Sequence, residues 1–482
     1  MNRFLLLLAL TLTACTANLL RAKSVKPAET VGLSEVSTVG SLEADLGPAL
    51  GGDEQALARL FNAVELSRAS DFIVRCDPEL SPARNEKGLL LAKATTKAPE
   101  GRRGFGGIAR ASAAADASQV LAAARETFEV RYAADDHLFL GFKPFEFLTL
   151  TRAQAMLKQG ELLVYFVEHE SKHFALCVKH DEAKCVELAS LADTRAAVLA
   201  LETAVRTVGS DWKGPADSAG QALLAPWSEL LEGVEALTIV PSPVVRNCPF
   251  AAVRLGGHVL IDRLRIGYAP CAFFLSGQRA KFQAPRVLAV GDPPAEPRFA
   301  QHLPALPGAR REAGVVAYCF SGGTLLLGEA ATKEALKSAV AEHTVLHFAT
   351  HGMRVANDPG QSFLLMAGGT LSAREIAQLP LHHVLLVVLS ACESGVGGAD
   401  SADSTGADSL AGAFLAGGAN AVVGTLWSVD DTATILLMVG VYREIAGLRG
   451  PRALQQAQLA LRKRPKFSHP FFWAPFVCYG RS

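Results

Sequence analysis

From about residue 148 onward, apolar residues fall into short runs separated by glycines, charges and polar turns, the pattern of a chain alternating strands with helices. Thr151–Gly160 predicts a short helix. Glu161–His169, His173–His180 and Cys185–Leu191 predict three strands in a meander. Helices are expected over Thr194–Thr207 and Gly220–Leu231, then strands at Ala236–Pro241, Val259–Ala269 and Arg286–Val290. Arg310–Tyr318 and Thr332–Ala339 predict helices that lead into the run Val345–Thr350. A helix over Ser372–Leu379 is capped by Ser372 with Glu375 three positions on. The next strand, Leu385–Leu389, is followed by helices at Ser409–Ala416, Asp431–Ile445 and Arg452–Arg462, a strand at Ala421–Trp427, and a closing segment Phe471–Tyr479. Upstream of all this, Glu54–Ala69 predicts an amphipathic helix, and Gly101–Ser118 is a Gly/Ala/Ser-rich breaker.

Two of these runs end in reactive side chains. Val345–Thr350 runs into His351-Gly352, and Leu385–Leu389 runs into Ser390-Ala391-Cys392. Buried runs joined by a crossover helix form neighbouring parallel strands, whose carboxyl ends meet at one edge of the sheet, where open α/β sheets carry their sites. His351 and Cys392 are therefore expected to face one crevice, and a thiol beside an imidazole is the minimum for nucleophilic catalysis. Other readings stand beside this one. Cys392 also fits a buried small hydrophobe. His347 and His351, on one face by period two, also fit a structural pair or metal ligands.

HFATHG, LSACESG, GTLWSVDDTAT and HPFFWAPFVCYG, in this order and spacing, resemble the CHAT domain, a caspase-like cysteine-peptidase domain related to caspases, separases and gingipains. The likeness runs strongly over residues 287–480 and more weakly back to about residue 145. It implies an α/β fold with a caspase-like, mostly parallel sheet flanked by helices and an upstream α+β subdomain. It divides the chain into a part at 145–285 and a catalytic part at 286–482. It also implies Cys392 as nucleophile, His351 as general base, His347 as a buried support, and the Gly352 and Cys392 amides as oxyanion hole, with no cofactor, no metal and no third triad member. In related Arg-specific members an acidic residue after the Leu-Trp motif binds a basic side chain. Asp431 fits that position better than Asp430, and either also fits the N-cap of the following helix. The substrate would be a protein or peptide. A catalytically silent binding scaffold, or an enzyme awaiting an activating protein, are the rival readings.

At 482 residues the chain has room for two or three domains, and its zero net charge argues against a nucleic-acid partner. Arg3, the apolar run Phe4–Thr13 and Leu12-Thr13-Ala14-Cys15 resemble a bacterial lipoprotein signal. The expectation is a signal peptide at 1–14, lipidation of Cys15, a tether over 15–53 and a small module of unknown role at 54–140. Thr16 after the cysteine points to the outer membrane of a Gram-negative cell envelope, the lipid anchor being the membrane contact. An ordinary secretory signal is the alternative. Cys177 and Cys185 flank a polar turn and are candidates for a disulfide or for two free thiols. His169-Glu170-Ser171-Lys172-His173 fits the zinc signature HExxH, but its strand-like flanks predict a hairpin, where the two imidazoles do not share a helix face.

Overall fold

The computed structural model describes residues 42–76, 148–276, 285–295, 303, 306–320, 322–353, 355, 359–390, 410–445 and 450–480. Cys15, Cys392 and the Gly/Ala/Ser-rich breaker lie outside the described residues. Two helices come first, α1 (Leu42–Leu50) and α2 (Glu54–Cys76), then α3 (Leu150–Met156). The meander follows as β1 (Glu161–His169), β2 (Lys172–Val178) and β3 (Ala183–Glu187). Next come α4 (Leu191–Arg206), α5 (Lys213–Leu223), β4 (Ala236–Val240), the small ribbon β5 (Arg254–Leu255) and β6 (His258–Val259), and β7 (Arg265–Tyr268). After α6 (Phe273–Ser276) the chain runs through β8 (Val287–Gly291), α7 (Pro307–Tyr318), β9 (Thr324–Leu327), α8 (Lys333–Ala339) and β10 (Val345–Ala349). A second ribbon, β11 (Gly352–Met353), β12 (Phe363–Met366) and β13 (Gly369–Ser372), leads into α9 (Ala373–Ala377) and β14 (Leu386–Leu389). The last elements are α10 (Leu410–Ala416), β15 (Ala421–Thr425), α11 (Asp431–Ile445), α12 (Gly450–Arg462) and β16 (Phe476–Gly480).

One large sheet has the order β3-β2-β1-β4-β7-β16-β15-β14-β10-β8-β9. Its neighbours are parallel except at β1–β2, β2–β3 and β15–β16, so the fold is α/β with a mostly parallel sheet flanked by helices. Parallel strands are buried on both faces, and β4, β8, β10, β14 and β15 are buried at every position. The final segment does more than close the sheet. β16 lies in its middle, parallel to β7 and antiparallel to β15, and so joins the amino-terminal and carboxyl-terminal halves.

Alternation along β1 sorts the two cores. Leu162, Val164 and Phe166 face the main core, whereas Leu163, Tyr165 and Val167 face a second cluster built with α1, α2 and α3. The same alternation decides between the two readings of Cys177 and Cys185. Cys177 pairs with Lys184 and Cys185 with Leu176, so the two cysteines point to opposite faces, and both are free. The thiols are buried, which pushes that of Cys185 up to about 12.

Three further departures have local causes. The tether expected to reach Asp53 contains α1, whose Leu46 and Ala49 pack into the second cluster while Asp45 accepts a 2.9 Å bond from Arg59. The helix expected over Gly220–Leu231 breaks after Leu223, because Pro226 cannot continue an α-helix, and a 3-10 turn follows with Trp227 outside helical dihedrals. Val259–Ala269 is not one strand: Leu260–Asp262 forms a 3-10 turn between β6 and β7. Among the described residues, no helix is long and apolar enough to cross a membrane.

The amino-terminal helices are fastened to the sheet by a buried carboxylate. Glu65 of α2, fully buried, accepts from the Tyr165 hydroxyl and from the Ala272 backbone N–H at 3.0 Å. That N–H also reaches the Tyr165 oxygen at 2.6 Å. Burial and the Glu65 charge hold the Tyr165 hydroxyl far above its usual pKa, so it remains a donor. Phe61 meets Tyr165 edge-on with centroids 5.5 Å apart. Removing one partner from such a set strands the others without water, at about 1–3 kcal/mol. Glu65→Ala is therefore expected to lower the unfolding free energy by about 2 kcal/mol. It should also speed deuterium exchange at the Ala272 amide. Unchanged exchange there would mean that the carboxylate does not fasten the helix.

Candidate active site

β10 and β14 are direct parallel neighbours, with Val345 opposite Leu386, Leu346 opposite Val387, His347 opposite Val388 and Phe348 opposite Leu389. Their carboxyl ends therefore emerge side by side. The last ladder bond runs from Ser390 N–H to Phe348 O at 2.9 Å, two positions before Cys392 in the sequence. On the other strand, Thr350 and His351 pass directly from β10 into the ribbon. Leu365 N–H donates to His351 O at 2.9 Å, and Thr350 Oγ1 donates to Leu365 O at 2.9 Å. His351 and Gly352 are both half-buried at this junction. Distances to the Cys392 sulfur and amide lie outside the described residues.

α9 connects the ribbon to β14 and begins where the sequence placed it. Ser372 accepts from Glu375 N–H and the Glu375 carboxylate accepts from Ser372 N–H, a capping box reinforced by Lys333 at 2.9 Å from Glu375. These hydrogen bonds and the Lys333 charge hold the Glu375 carboxyl below its usual pKa despite partial burial.

One helix packs against β8 and β10 beside the candidate site. α7 lies so close to β8 that a Cβ at Gly291 would come within 2.6 Å of the Ala313 side chain. Only glycine permits that approach. Just past Gly291 the backbone turns through Asp292 at a positive φ of 49°. Asp292 N–H donates to Ala349 O at 3.1 Å and its carboxylate accepts from Arg310 of α7 at 2.8 Å.

The two acidic residues after Leu426-Trp427 have different surroundings. Asp430 Oδ1 accepts from Ala433 N–H at 2.9 Å, so Asp430 caps α11. Asp431 is exposed, and its carboxylate lies over Gly308 in the first turn of α7, where an added Cβ would meet Oδ2 at 2.1 Å. The preceding motif is locked: Trp427 donates to Phe471 O at 3.2 Å, and Arg206 stacks 5.3 Å from its ring while donating to Leu426 O.

Beneath the strand ends lies a polar set of which the sequence reading named only His347. His347 is fully buried; its Nδ1 is 2.8 Å from the Tyr442 hydroxyl, and its Nε2 is 3.4 Å from Glu312 Oε1. The Glu312 carboxylate accepts from Ser390 Oγ at 2.9 Å. Burial and the Glu312 charge raise the Tyr442 pKa well above normal, so its hydroxyl stays protonated and shares a hydrogen bond with Nδ1. The 3.4 Å separation exceeds the usual hydrogen-bond span, so this contact is electrostatic rather than an aligned bond. In GARREAGVVAY, Glu312 reads as part of a charged, solvated face with Arg310 and Arg311. Only its i, i+4 relation to Gly308 and its place beside Ala313 and Val316 marked it as inward.

The HExxH residues form the predicted hairpin. His169 ends β1, Glu170 takes a positive φ of 55°, and Lys172 opens β2 opposite His169. Among the described residues no cluster of His, Cys, Asp or Glu is arranged to hold a metal. His173 is instead a core residue, 3.1 Å from Ser242 Oγ and stacked on Phe166 at 5.5 Å.

The CHAT domain family model matches residues 213–481. Tetratricopeptide repeat protein 28 of Homo sapiens is 29% identical over 220 residues, which cover 36% of this chain and 8% of that protein; the Mus musculus protein matches equally. The chain thus spans less than a tenth of these relatives. Among solved structures, the Saccharomyces cerevisiae separase–securin complex matches with a TM-score of 0.48 at 10% identity, over 92% of this chain and 34% of that one. The Arg-specific cysteine proteinase gingipain R matches with a TM-score of 0.37 at 9% identity, over 59% and 73%.

Burial lowers the His173 pKa to about 4. In the unfolded chain the same ring takes a proton near its ordinary value of about 6.5. Stability present above pH 6.5 is thus lost as pH falls toward 4, by up to about 3 kcal/mol. A His173→Gln variant, which retains a polar partner for Ser242, should show a flatter decline of unfolding free energy between pH 6.5 and 4.5. An identical slope in variant and wild type would assign the acid sensitivity elsewhere.

Proposed function

We propose, from the premise that the chain belongs to the CHAT domain family, that it is a cysteine endopeptidase with Cys392 as nucleophile and His351 as general base. The observation that carries this reading is the direct β10–β14 pairing, which brings the segment ending at His351 beside the segment leading to Cys392. The Cys392 sulfur attacks the scissile carbonyl carbon, and its proton passes to His351. The tetrahedral oxyanion is held by the Gly352 and Cys392 N–H groups. The C–N bond breaks, the amine leaves with the proton from His351, and water then hydrolyses the thioester to release the acid and the free thiol. Asp431 selects basic side chains before the scissile bond. The support is that the Asp430 carboxylate, not that of Asp431, serves the helix cap by accepting from Ala433 N–H. The partners are a protein or peptide substrate and an activating protein.

Wild-type chain is expected to react covalently with a peptide electrophile carrying arginine next to the warhead, and Cys392→Ala to lose that labelling while keeping its melting midpoint. Equal labelling of the variant removes the nucleophile assignment. Asp431→Ala should lower cleavage after Arg or Lys by about tenfold or more, with little effect after neutral residues. An unchanged profile refutes the specificity role. No labelling of the wild type, with or without cell extract, favours a silent scaffold, the reading that the likeness to a tetratricopeptide repeat protein supports.

The second part of the proposal is location. Cys15 becomes the lipidated first residue of the mature chain, which is anchored in the cell envelope at the outer membrane of a Gram-negative bacterium. The support is the Leu12-Thr13-Ala14-Cys15 run behind an apolar segment. Radiolabelled palmitate should enter the wild type expressed in such a host and not a Cys15→Ser variant. Equal incorporation would end the anchor proposal.

A further inference from the structure

We infer that Glu312 is a positioning residue: from α7 it ties the carboxyl end of β14, through Ser390, to the body of β10, through His347. The inference rests on the peptidase reading, since it concerns how that reading's two strand ends are held.

A strand leaving a sheet is fixed only up to its last ladder bond. For β14 that bond is Ser390 N–H to Phe348 O at 2.9 Å. Beyond it the direction of the chain is set by the Ser390 torsions, and the Ser390 hydroxyl is itself held by Glu312 at 2.9 Å. The neighbouring strand meets the same carboxylate through His347, 3.4 Å away, and the far side of that ring is closed by Tyr442 of α11. Glu312 is 6% exposed and His347 0%, so solvent does not compete for the contact between them, while Ser390 is half-buried. α7 cannot drift on the sheet, because Ala313 and the Ala309 carbonyl crowd Gly291. The carboxylate is therefore a fixed point shared by the two strands. Burying a carboxylate is costly, and an apolar side chain of similar size would pack there without that cost. What the carboxylate adds is a specific direction for Ser390, and misplacement of a reacting group by about 1 Å costs about a hundredfold in rate.

The test compares full-length wild type with Ser390→Ala, Ser390→Thr, Glu312→Ala, Glu312→Gln and the Ser390→Ala/Glu312→Ala double variant. The readouts are the first-order rate of labelling at saturating peptide electrophile, the half-saturating concentration, and the melting midpoint. Ser390→Ala and Glu312→Ala should each lower the saturating rate by about tenfold or more, with the half-saturating concentration little changed. Ser390→Thr and Glu312→Gln, which keep the hydroxyl and an acceptor, should recover most of it. The double variant should be no slower than the slower single variant, the mark of one shared contact. Folded single variants that label at the wild-type rate overturn the positioning role and leave the peptidase reading intact. Rates that fall only in proportion to lost folded protein also overturn it. A wild type that never labels overturns both.

Discussion

A sheet buried on both faces admits polar side chains only at a cost that neighbouring polar groups must offset. Strands β4, β8, β10, β14 and β15 are buried at every position, so a polar group among them relies on partners within the protein, and a stranded one costs as much as several apolar contacts contribute. The described core groups its polar side chains at three places. Glu65, Tyr165 and the Ala272 N–H form one set under β1; His173 and Ser242 form another beside β4; Glu312, His347, Ser390 and Tyr442 form a third under β10 and β14. Each joins elements far apart in sequence. Apolar packing brings those elements together without specifying register, and the polar sets specify it.

How much of this was legible in the sequence follows from the range of the signals. β10 and β14 were visible because each is a short apolar run ended by a polar residue, and their adjacency follows from the short crossover between them. The Ser372 capping box was visible because both partners lie within one turn. The α11 helix begins at Asp431 and ends at Ile445 as its apolar spacing indicates. Whether Asp430 or Asp431 caps it was not legible, since both are one-residue neighbours of the same chemistry, and only the Asp430–Ala433 bond separates them.

What was illegible is non-local. Nothing in Phe476–Gly480 says that this strand inserts between β7 and β15, because the choice is made by the edges that the rest of the chain leaves open. The ribbon β11–β13 hid between two stronger runs, being short and partly polar. Cys177 and Cys185 looked symmetric about their turn, yet their register differs by one position, and with a period of two a single step reverses the face. Glu312 is the sharpest case. Its charge argues for solvent in every local reading, and it is buried only because α7 is pinned over the one glycine that ends β8.

The amino-terminal helices belong to the same scheme rather than to a separate appendage. α2 carries Phe61 and Val64 into the second core cluster and Glu65 into the set with Tyr165. Asn62 accepts from the Leu150 N–H at 3.2 Å, which fixes α3 against the same helix. Farther along, α2 also lies against α9, α10 and the turn Pro359–Gln361. These are the segments that follow His351 in the ribbon, lead into β14, and resume the chain after the stretch containing Cys392. A single helix thus touches both the meander at one end of the sheet and the flanks of the candidate site. The stability that Glu65 gives to α2 is therefore also a constraint on the elements around the strand ends.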